Sequence, residues 1–314
     1  MSPITAEEEF SKNNKLKREN IEHLREWMSK QPHLPSGVTD EQLILFLNCC
    51  QHSLEACKQT IEAYYTIRTH APELFGSRDP KRKEIQQTLS IIEIAALPKR
   101  DQHGNIVMAG RLVDVDASKF NYDDCLRSWF MLQDVTLLEH GAVPGFVFVF
   151  DMKGTSLGHV TRMSLSSIKK YYMYIQDAFP GIVVANHMVN ANSVTETFMN
   201  LSKPFMKKEL VSKIFVHSSF ETLHKHITRD ALPKEFGGNL DSLTPYHSKL
   251  YCNISRCEDI FFQHVFRILL GKSLNLVFIS FRILISLSQS CYSLNTGLIN
   301  WLLYINFLTI SRSP

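Results

Sequence analysis

The middle of the sequence contains a run of five large apolar residues, F-V-F-V-F at positions 146–150, between Gly145 and Asp151. A strand with one wet face alternates apolar and polar residues, whereas this run is apolar at every position. It therefore predicts a strand that is covered by other layers on both faces. Asp151 and Gly154 then form the expected turn at its end.

The segments around this run alternate between helical and strand-like patterns. Residues 123–139, 166–179 and 193–206 predict helices, whereas residues 182–189 and 213–217 are short and strand-like. Two further candidate strands, beginning with the apolar run at residues 88–94, flank a turn formed by H-G-N at residues 103–105. Helices that alternate with strands in this way predict an α/β domain built on one sheet.

The first 80 residues predict a separate, all-helical domain. Apolar residues recur at three-to-four spacing between residues 7 and 78, and Thr39 with Gln42 forms an expected capping box. Residues 77–80 have the composition of a linker. We therefore expect a helical domain over residues 1–80 and an α/β domain over residues 81–247.

The composition changes after Asp259, which is the last acidic residue of the chain. Residues 283–311 contain no Asp, Glu, Lys or Arg, but the polar stretch 288–297 interrupts the apolar residues. A membrane-spanning helix needs about 20 apolar residues in succession. We therefore treat residues 248–314 as an atypical hydrophobic tail, acid-free after Asp259, and an alternative end of the coding sequence is favoured over a membrane anchor.

The charge and the cysteines exclude several classes of protein. A net charge of +3 from 34 basic and 31 acidic residues, with no long basic run, does not predict a nucleic acid partner. The seven cysteines form no C-x-x-C pair, and the polar, acidic N-terminus differs from a secretory signal. Reduced thiols in a cytoplasmic protein are the simplest expectation.

The patterns that could carry catalysis or bind a metal have simpler structural explanations. Ser166 and Lys169 have an S-x-x-K spacing, but the companion motifs of serine-lysine enzymes are missing. His224 and His226 lie two apart, so in the helix that we expect there they would point to different faces. We predict no catalytic residue and no metal site.

Two other patterns, one acidic and one that contains glycine, are equally weak evidence for a catalytic or phosphate-binding site. Asp114 and Asp116 would share one face of a strand, yet the alternation V-D-V-D is what a half-exposed strand shows in any case. The residues after Asp151 do not have the glycine spacing of a phosphate-binding loop. No enzyme activity and no cofactor are therefore expected.

A series of segments, taken in order along the chain, resembles one family, the CRAL-TRIO lipid-binding proteins. They lie between residues 24 and 246 and include L-R-E-W-M-S-K, Y-Y-T-I-R-T-H-A-P-E-L-F, G-F-V-F-V-F-D-M-K-G, H-M-V-N and L-P-K-E-F-G-G. Within the family the sequence is most similar to the alpha-tocopherol transfer protein branch, of insect type. The resemblance implies a Sec14-like α/β lipid-binding domain with a mixed sheet and a lid helix, preceded by a small all-α domain.

This resemblance implies a monomeric, cytoplasmic carrier that makes and breaks no covalent bond. Its ligand would be small and hydrophobic, similar to a tocopherol, a retinoid or a phospholipid, and would be released at an anionic membrane. The alternative is a membrane-recruited scaffold or regulatory module that recognises phosphoinositides. The apolar residues available to line the pocket are Phe130, Leu132, Phe146, Phe148, Phe150, Ile175, Phe179, Ile182, Val184 and Val189.

The resemblance also places the lid over residues 190–210. Five of its residues are expected to face the cavity: Val194, Phe198, Leu201, Phe205 and Met206. Five basic residues are candidates for head-group or membrane contact: Arg68, Lys203, Lys207, Lys208 and Lys213. Ile182, Val184 and Glu209 depart from the basic pattern of the branch, so specificity for a phosphoinositide head group is left open.

Overall fold

The structure is a computed structural model, and it describes residues 3–250. The predicted tail over residues 248–314 lies outside the described residues, apart from its first three. The helices are α1 (Ala6–Lys12), α2 (Arg18–Ser29), α3 (Asp40–Cys49), α4 (Leu54–His70), α5 (Pro72–Phe75), α6 (Lys83–Ile91), α7 (Tyr122–His140), α8 (Leu157–Val160), α9 (Leu165–Met173), α10 (Ser193–Ser202), α11 (Lys208–Val211) and α12 (Phe220–Leu223). Residues 243–250 are also helical. None of the helices within residues 3–250 is long and apolar enough to cross a membrane.

Five strands form one sheet in the order of the chain: β1 (Ile92–Ala96), β2 (Ile106–Leu112), β3 (Phe146–Asp151), β4 (Val183–Val189) and β5 (Ile214–Val216). β1 and β2 are antiparallel, and the predicted turn between them contains Gly104, whose φ of +82° favours glycine. The pairs from β2 to β5 are parallel. The predicted α/β domain with a mixed sheet is therefore confirmed.

The two faces of the sheet are covered by different parts of the chain. Phe146 and Phe148 of β3 pack with residues of α7 and α9 on one face, whereas Val147 and Val149 pack with Leu232 and its neighbours on the other. These four side chains of β3 are buried. This double burial explains why the strand is apolar at every position, and it confirms the prediction from residues 146–150.

The helical character of the N-terminal region is also confirmed. Thr39 Oγ1 accepts a hydrogen bond from the backbone N–H of Gln42, and Gln42 Oε1 accepts one from the N–H of Thr39, so the capping box begins α3 as predicted. Arg68 of α4 forms an ion pair with Asp134 of α7, which joins the N-terminal helices to the sheet region. The domain boundary at residue 80 stays a prediction.

Two local predictions are wrong in detail. β2 ends at Leu112, so Asp114 and Asp116 are not on a strand: Asp114 binds Lys119 at 2.6 Å, and Asp116 accepts a hydrogen bond from the N–H of Ser118. Short-range hydrogen bonds of aspartate thus replace the strand ladder.

The helix expected at the two histidines near the C-terminal end is also shorter than predicted. α12 ends at Leu223, and His224 lies beyond it, where its Nε2 is 3.0 Å from the carbonyl oxygen of Phe236. The helix expected over residues 166–179 is α9 followed by one π-helical turn, Tyr174–Ala178. Such turns often occur near functional sites.

A pair of buried histidines makes the stability of the fold dependent on pH. His187 Nδ1 of β4 lies 2.9 Å from His217 Nε2, and His217 Nδ1 lies 2.9 Å from Thr222 Oγ1. Burial, followed by repulsion from His217 and His226, lowers the pKa of His187 to about 3. Burial and His226 lower the pKa of His217 as well.

We expect the free energy of unfolding to have its full value above about pH 7 and to decrease as the pH falls below that value. The unfolded histidines take up protons near pH 6.5, whereas the folded ones resist protonation until well below that value, so acid favours the unfolded state. The expected loss is on the order of 2 kcal/mol between pH 7 and pH 4.5, measured by urea unfolding. His187→Gln should reduce this slope, the exposed His103→Gln should keep it, and equal slopes would contradict the prediction.

Candidate functional site

A cavity of about 190 Å³ lies between the sheet and the helices α7, α9 and α10. Its floor consists of residues from one face of the strands, among them Ile94, Gly110, Phe150 and Met188. A Cβ atom at Gly110 would lie 3.3 Å from Ile94 Cγ2 and 3.3 Å from Phe150 Cδ1. Because glycine stands there, the floor stays open at its centre.

One stripe of α7 forms a wall of the cavity. It consists of Tyr122, Cys125, Leu126 and Trp129, which follow the spacing i, i+3, i+4 and i+7 of one helix face. Burial raises the pKa of the Cys125 thiol, so this side chain is held in its neutral form. The stripe was absent from the predicted pocket, because its spacing identifies a buried helix face but not a face that borders a cavity.

The other walls come from α9, from α10 and from the loops at the carboxyl ends of the strands. Tyr171 and Tyr172 belong to α9, Phe198 belongs to α10, and Met152 and His159 follow β3. The carboxyl ends of parallel strands meet at one edge of a sheet, which is where α/β proteins usually bind their ligands. The cavity is thus placed by the topology of the sheet.

Among the ten predicted pocket residues, Phe150 lines this cavity. The others occupy three different positions. Six belong to the buried cluster on the same face of the sheet: Phe130, Leu132, Phe146, Phe148, Ile175 and Phe179. Val189 belongs to the cluster on the opposite face. At the start of β4, Ile182 is half-buried and Val184 is exposed. Periodicity identifies buried positions, but it does not show which of them border an open volume.

Among the five predicted lid residues, Phe198 lines the cavity, and Phe205 and Met206 pack against the same core cluster. Val194 is half-buried and Leu201 is exposed. The C-terminal end of this segment is held by Gln176 of the π-helical turn. Gln176 Nε2 donates to the carbonyl oxygen of Phe205 at 3.1 Å, and its Oε1 accepts from the N–H of Lys207.

The predicted head-group residues do not share one environment. Arg68 is buried: its Nη2 lies 2.6 Å from Asp134 Oδ1 and 3.0 Å from the hydroxyl of Tyr174. Arg78 Nη1 binds the same carboxylate at 2.6 Å. Burial alone would raise the pKa of Asp134, but the two guanidinium groups lower it below its usual value.

The four predicted lysines lie near the end of the lid segment. Lys213 Nζ donates to the carbonyl oxygen of Val183 at 2.8 Å, and Lys207 forms an ion pair with Asp177. Lys203, Lys207 and Lys208 are exposed, and Lys213 is half-buried. The structure thus separates these surface lysines from the buried guanidinium of Arg68.

The patterns considered for catalysis lie apart from the cavity lining. Ser166 and Lys169 are both exposed near the start of α9. Within residues 3–250, no group of three or more His, Cys, Asp and Glu side chains is arranged to hold a metal ion.

Comparison with known proteins identifies similar families and relatives. Residues 93–238 match the family model of the CRAL/TRIO domain, and residues 13–85 match the model described as Pinta-like, UBA domain. The human alpha-tocopherol transfer protein-like protein is 27% identical over 241 residues, which cover 76% of this chain and 70% of that protein. Mouse clavesin-1 is 25% identical over 246 residues, with the same two coverages. The crystal structure of Sfh5 is 17% identical, with a TM-score of 0.44 over 70% of this chain and 81% of that one.

Proposed function

Because residues 93–238 form a CRAL/TRIO domain, we propose that this protein binds a small hydrophobic ligand in the cavity described above and transfers it between membranes. The observation that carries this proposal is the mainly apolar, partly open pocket between the sheet and the segment that contains α10. Burial of an apolar ligand there is favourable by about 25 cal/mol for each Å² removed from water. The relatives whose names refer to tocopherol transfer favour the same class of ligand.

The volume of the cavity limits what it holds without rearrangement. A cavity of about 150 Å³ accommodates a molecule the size of benzene, and typical ligand pockets measure about 300–1,000 Å³. With about 190 Å³, this cavity accepts one ring or a short chain. A tocopherol-, retinoid- or phospholipid-like ligand therefore requires Phe198 and α10 to move outward, which makes α10 the lid of the proposed carrier.

We propose transfer without catalysis. The thiol that lines the cavity belongs to Cys125, and burial raises its pKa, so it is a poor nucleophile. The ring of His159 is engaged through its Nδ1, which accepts a hydrogen bond from the N–H of Ser156 at 3.1 Å. Both features favour a carrier over a lipid-modifying enzyme.

The direct test is mass spectrometry of the organic extract of the purified full chain. We expect a hydrophobic compound in an amount close to that of the protein. If the protein contains no such compound and takes up none from liposomes loaded with tocopherol, retinol or phospholipid, the proposal is wrong.

Release of the ligand is proposed to occur at an anionic membrane surface, with the protein otherwise in the cytoplasm and monomeric. Lys203 and Lys208 are exposed near the end of the lid segment, where they could contact acidic lipids while the lid opens. The buried ion pair of Arg68 with Asp134 leaves this side chain unavailable to a head group, which favours the carrier over a phosphoinositide-reading scaffold.

We expect the double variant Lys203→Glu/Lys208→Glu to bind vesicles that contain phosphatidylserine at least about thirtyfold more weakly. Each lysine close to an anionic surface contributes about 1 kcal/mol, so the loss of two costs about 2 kcal/mol, and repulsion of the two added carboxylates by the surface weakens binding further. The measurement is co-sedimentation with vesicles at fixed ionic strength. Lys99→Glu/Lys225→Glu, two exposed lysines outside the lid segment, is the charge-matched control. Equal losses in both variants would show that the lid does not form the docking surface.

A further inference from the structure

Three of the four cysteines within residues 3–250 come together where α3 meets α4. Cys49 is the last residue of α3, Cys50 follows it, and Cys57 lies near the start of α4. Cys50 Sγ lies 3.7 Å from Cys49 Sγ, and the thiol of Cys57 interacts with Cys50 as well. None of these three residues lines the cavity. The cluster is therefore separate from the site of the proposed ligand binding.

The turn between the two helices places Cys50 beside α4. Gln51 and His52 have φ values of +51° and +65°, in the left-handed region that residues other than glycine rarely adopt. The N–H of His52 donates a hydrogen bond to the carbonyl oxygen of Leu47 at 2.8 Å, which closes the end of α3. The two left-handed residues thus reverse the chain immediately after Cys50, and the start of α4 returns to it.

Cys50 is the member of the cluster that is favoured as a thiolate. Thr60 Oγ1 of α4 lies 3.4 Å from Cys50 Sγ, and Thr60 is on the same helix face as Cys57 because the two are three positions apart. Interaction with the thiols of Cys49 and Cys57, and with the hydroxyl of Thr60, lowers the pKa of Cys50. Because the thiolate is the nucleophilic form of cysteine, reactivity is concentrated at Cys50.

The other two thiols of the cluster are held in the protonated form. Contact with Cys50, together with burial, raises the pKa of both Cys49 and Cys57. Cys49 Sγ also lies 3.2 Å from the carbonyl oxygen of Phe46, a contact that needs the thiol proton. Access follows the same order, because Cys50 is half-buried whereas Cys57 is fully buried. A small oxidant therefore reaches Cys50 before Cys57.

We propose that Cys50 is a peroxide-sensitive thiol and that Cys57 is the partner with which it forms a reversible disulfide. The Cys50 thiolate attacks one oxygen of hydrogen peroxide, the O–O bond breaks, and the leaving hydroxide takes up a proton to become water. The sulfur of Cys57 then attacks the sulfenic acid on Cys50, the S–O bond breaks, and the hydroxyl group leaves with the Cys57 proton as a second water. Two thiols are oxidised and one peroxide is reduced.

Cys49 is the poorer partner although its thiol is close to Cys50. Neighbouring Cα atoms across a trans peptide are about 3.8 Å apart, whereas disulfides usually join Cα atoms about 4.4–6.8 Å apart. A disulfide between adjacent residues would therefore distort the end of α3. A disulfide between Cys50 and Cys57 instead links α3 to α4, two helices that already pack together. The inference does not depend on the proposed carrier function.

The test locates disulfides in the full chain after brief treatment of the reduced protein with hydrogen peroxide and alkylation of the remaining thiols. Cleavage after glutamate places Cys49 and Cys50 on residues 42–55 and Cys57 on residues 56–62. We expect mass spectrometry to find these two peptides cross-linked, and dithiothreitol should separate them.

Three variants and one internal control assign the chemistry. Cys50→Ser should abolish the cross-link, whereas Cys49→Ser should keep it. Thr60→Val loses the hydroxyl group and should raise the pH midpoint of Cys50 alkylation by iodoacetamide by about one unit, because a hydrogen bond to the thiolate is lost. Cys125 of the wild type should stay unoxidised, since burial raises the pKa of its thiol.

Three results would overturn the proposal. Equal oxidation of Cys50 and Cys125 in the folded protein would show that the cluster confers no reactivity. A disulfide confined to residues 42–55 would show that Cys49 is the partner. Oxidation of Cys50 without a disulfide would show that Cys57 does not react with the sulfenic acid. The ligand content of the extract tests the proposed carrier function separately, so failure of one proposal is distinguishable from failure of the other.

Discussion

Replacement of Cys125 by phenylalanine is expected to abolish ligand binding and to leave the fold intact. Cys125 lies in the α7 stripe that lines the cavity, and its side chain is half-buried. A benzene molecule fills a cavity of about 150 Å³, so a phenyl ring at this position would occupy most of the available 190 Å³. The variant should copurify with less than about one tenth of the wild-type ligand, as measured by mass spectrometry of the extract, which requires that binding weakens by at least about 1.4 kcal/mol.

Leu165→Phe provides the control for this experiment. Leu165 is the first residue of α9 and is 55% exposed, so the variant gains an aromatic ring outside the cavity. It should retain its ligand, and both variants should unfold cooperatively with a Tm close to that of the wild type. A Cys125→Phe protein that is folded and fully loaded would show that the ligand occupies another site.

Replacement of Asp134 by asparagine is expected to lower the free energy of unfolding by about 3–5 kcal/mol. The carboxylate binds both Arg68 and Arg78, and the side chains of the two arginines are only 13% and 11% exposed. Without the negative charge, two guanidinium groups remain buried next to each other in a site of low dielectric constant. Urea unfolding, followed by circular dichroism, measures the loss.

Two further variants distinguish the loss of the Asp134 charge from general damage to the core. Asp177→Asn removes the carboxylate of a surface ion pair with Lys207 and should cost less than about 1 kcal/mol. The triple variant Arg68→Met/Arg78→Met/Asp134→Leu removes all three charges together and should recover most of the stability that Asp134→Asn loses. If the triple variant is as unstable as Asp134→Asn alone, the effect is not caused by loss of the negative charge of Asp134.

The candidate site shows which features a sequence pattern can predict and which it cannot. The run at 146–150 predicts a doubly buried strand because a strand that is covered on both faces is apolar at every position. The structure confirms this prediction. Phe150 and Phe198 were among the predicted lining residues, and both line the cavity. Gly110, Trp129 and Asn186 were not, because a glycine, a tryptophan or an asparagine has the same appearance in a sequence whether it borders an empty volume or a filled one.

The charged residues provide a second example of a feature that the sequence does not predict. Arg68 is a basic residue in a segment that resembles a head-group site, and its sequence context alone gives no sign of a partner. Asp134 lies 66 positions further along the chain, and only the tertiary fold, in which α4 packs against the π-helical turn, brings the two side chains together. The same packing also removes Arg68 from the surface.

The sequence by itself determined the order and type of the elements, the double burial of β3, the capping of α3 and the resemblance to CRAL-TRIO proteins. These features depend on residues that are near one another in the chain, or on the order of whole segments. Only the tertiary structure decided where the cavity lies, which side chains border it and which charges are paired. The reason is physical: a cavity or a buried ion pair is formed by side chains from distant elements, and their contacts depend on how those elements pack.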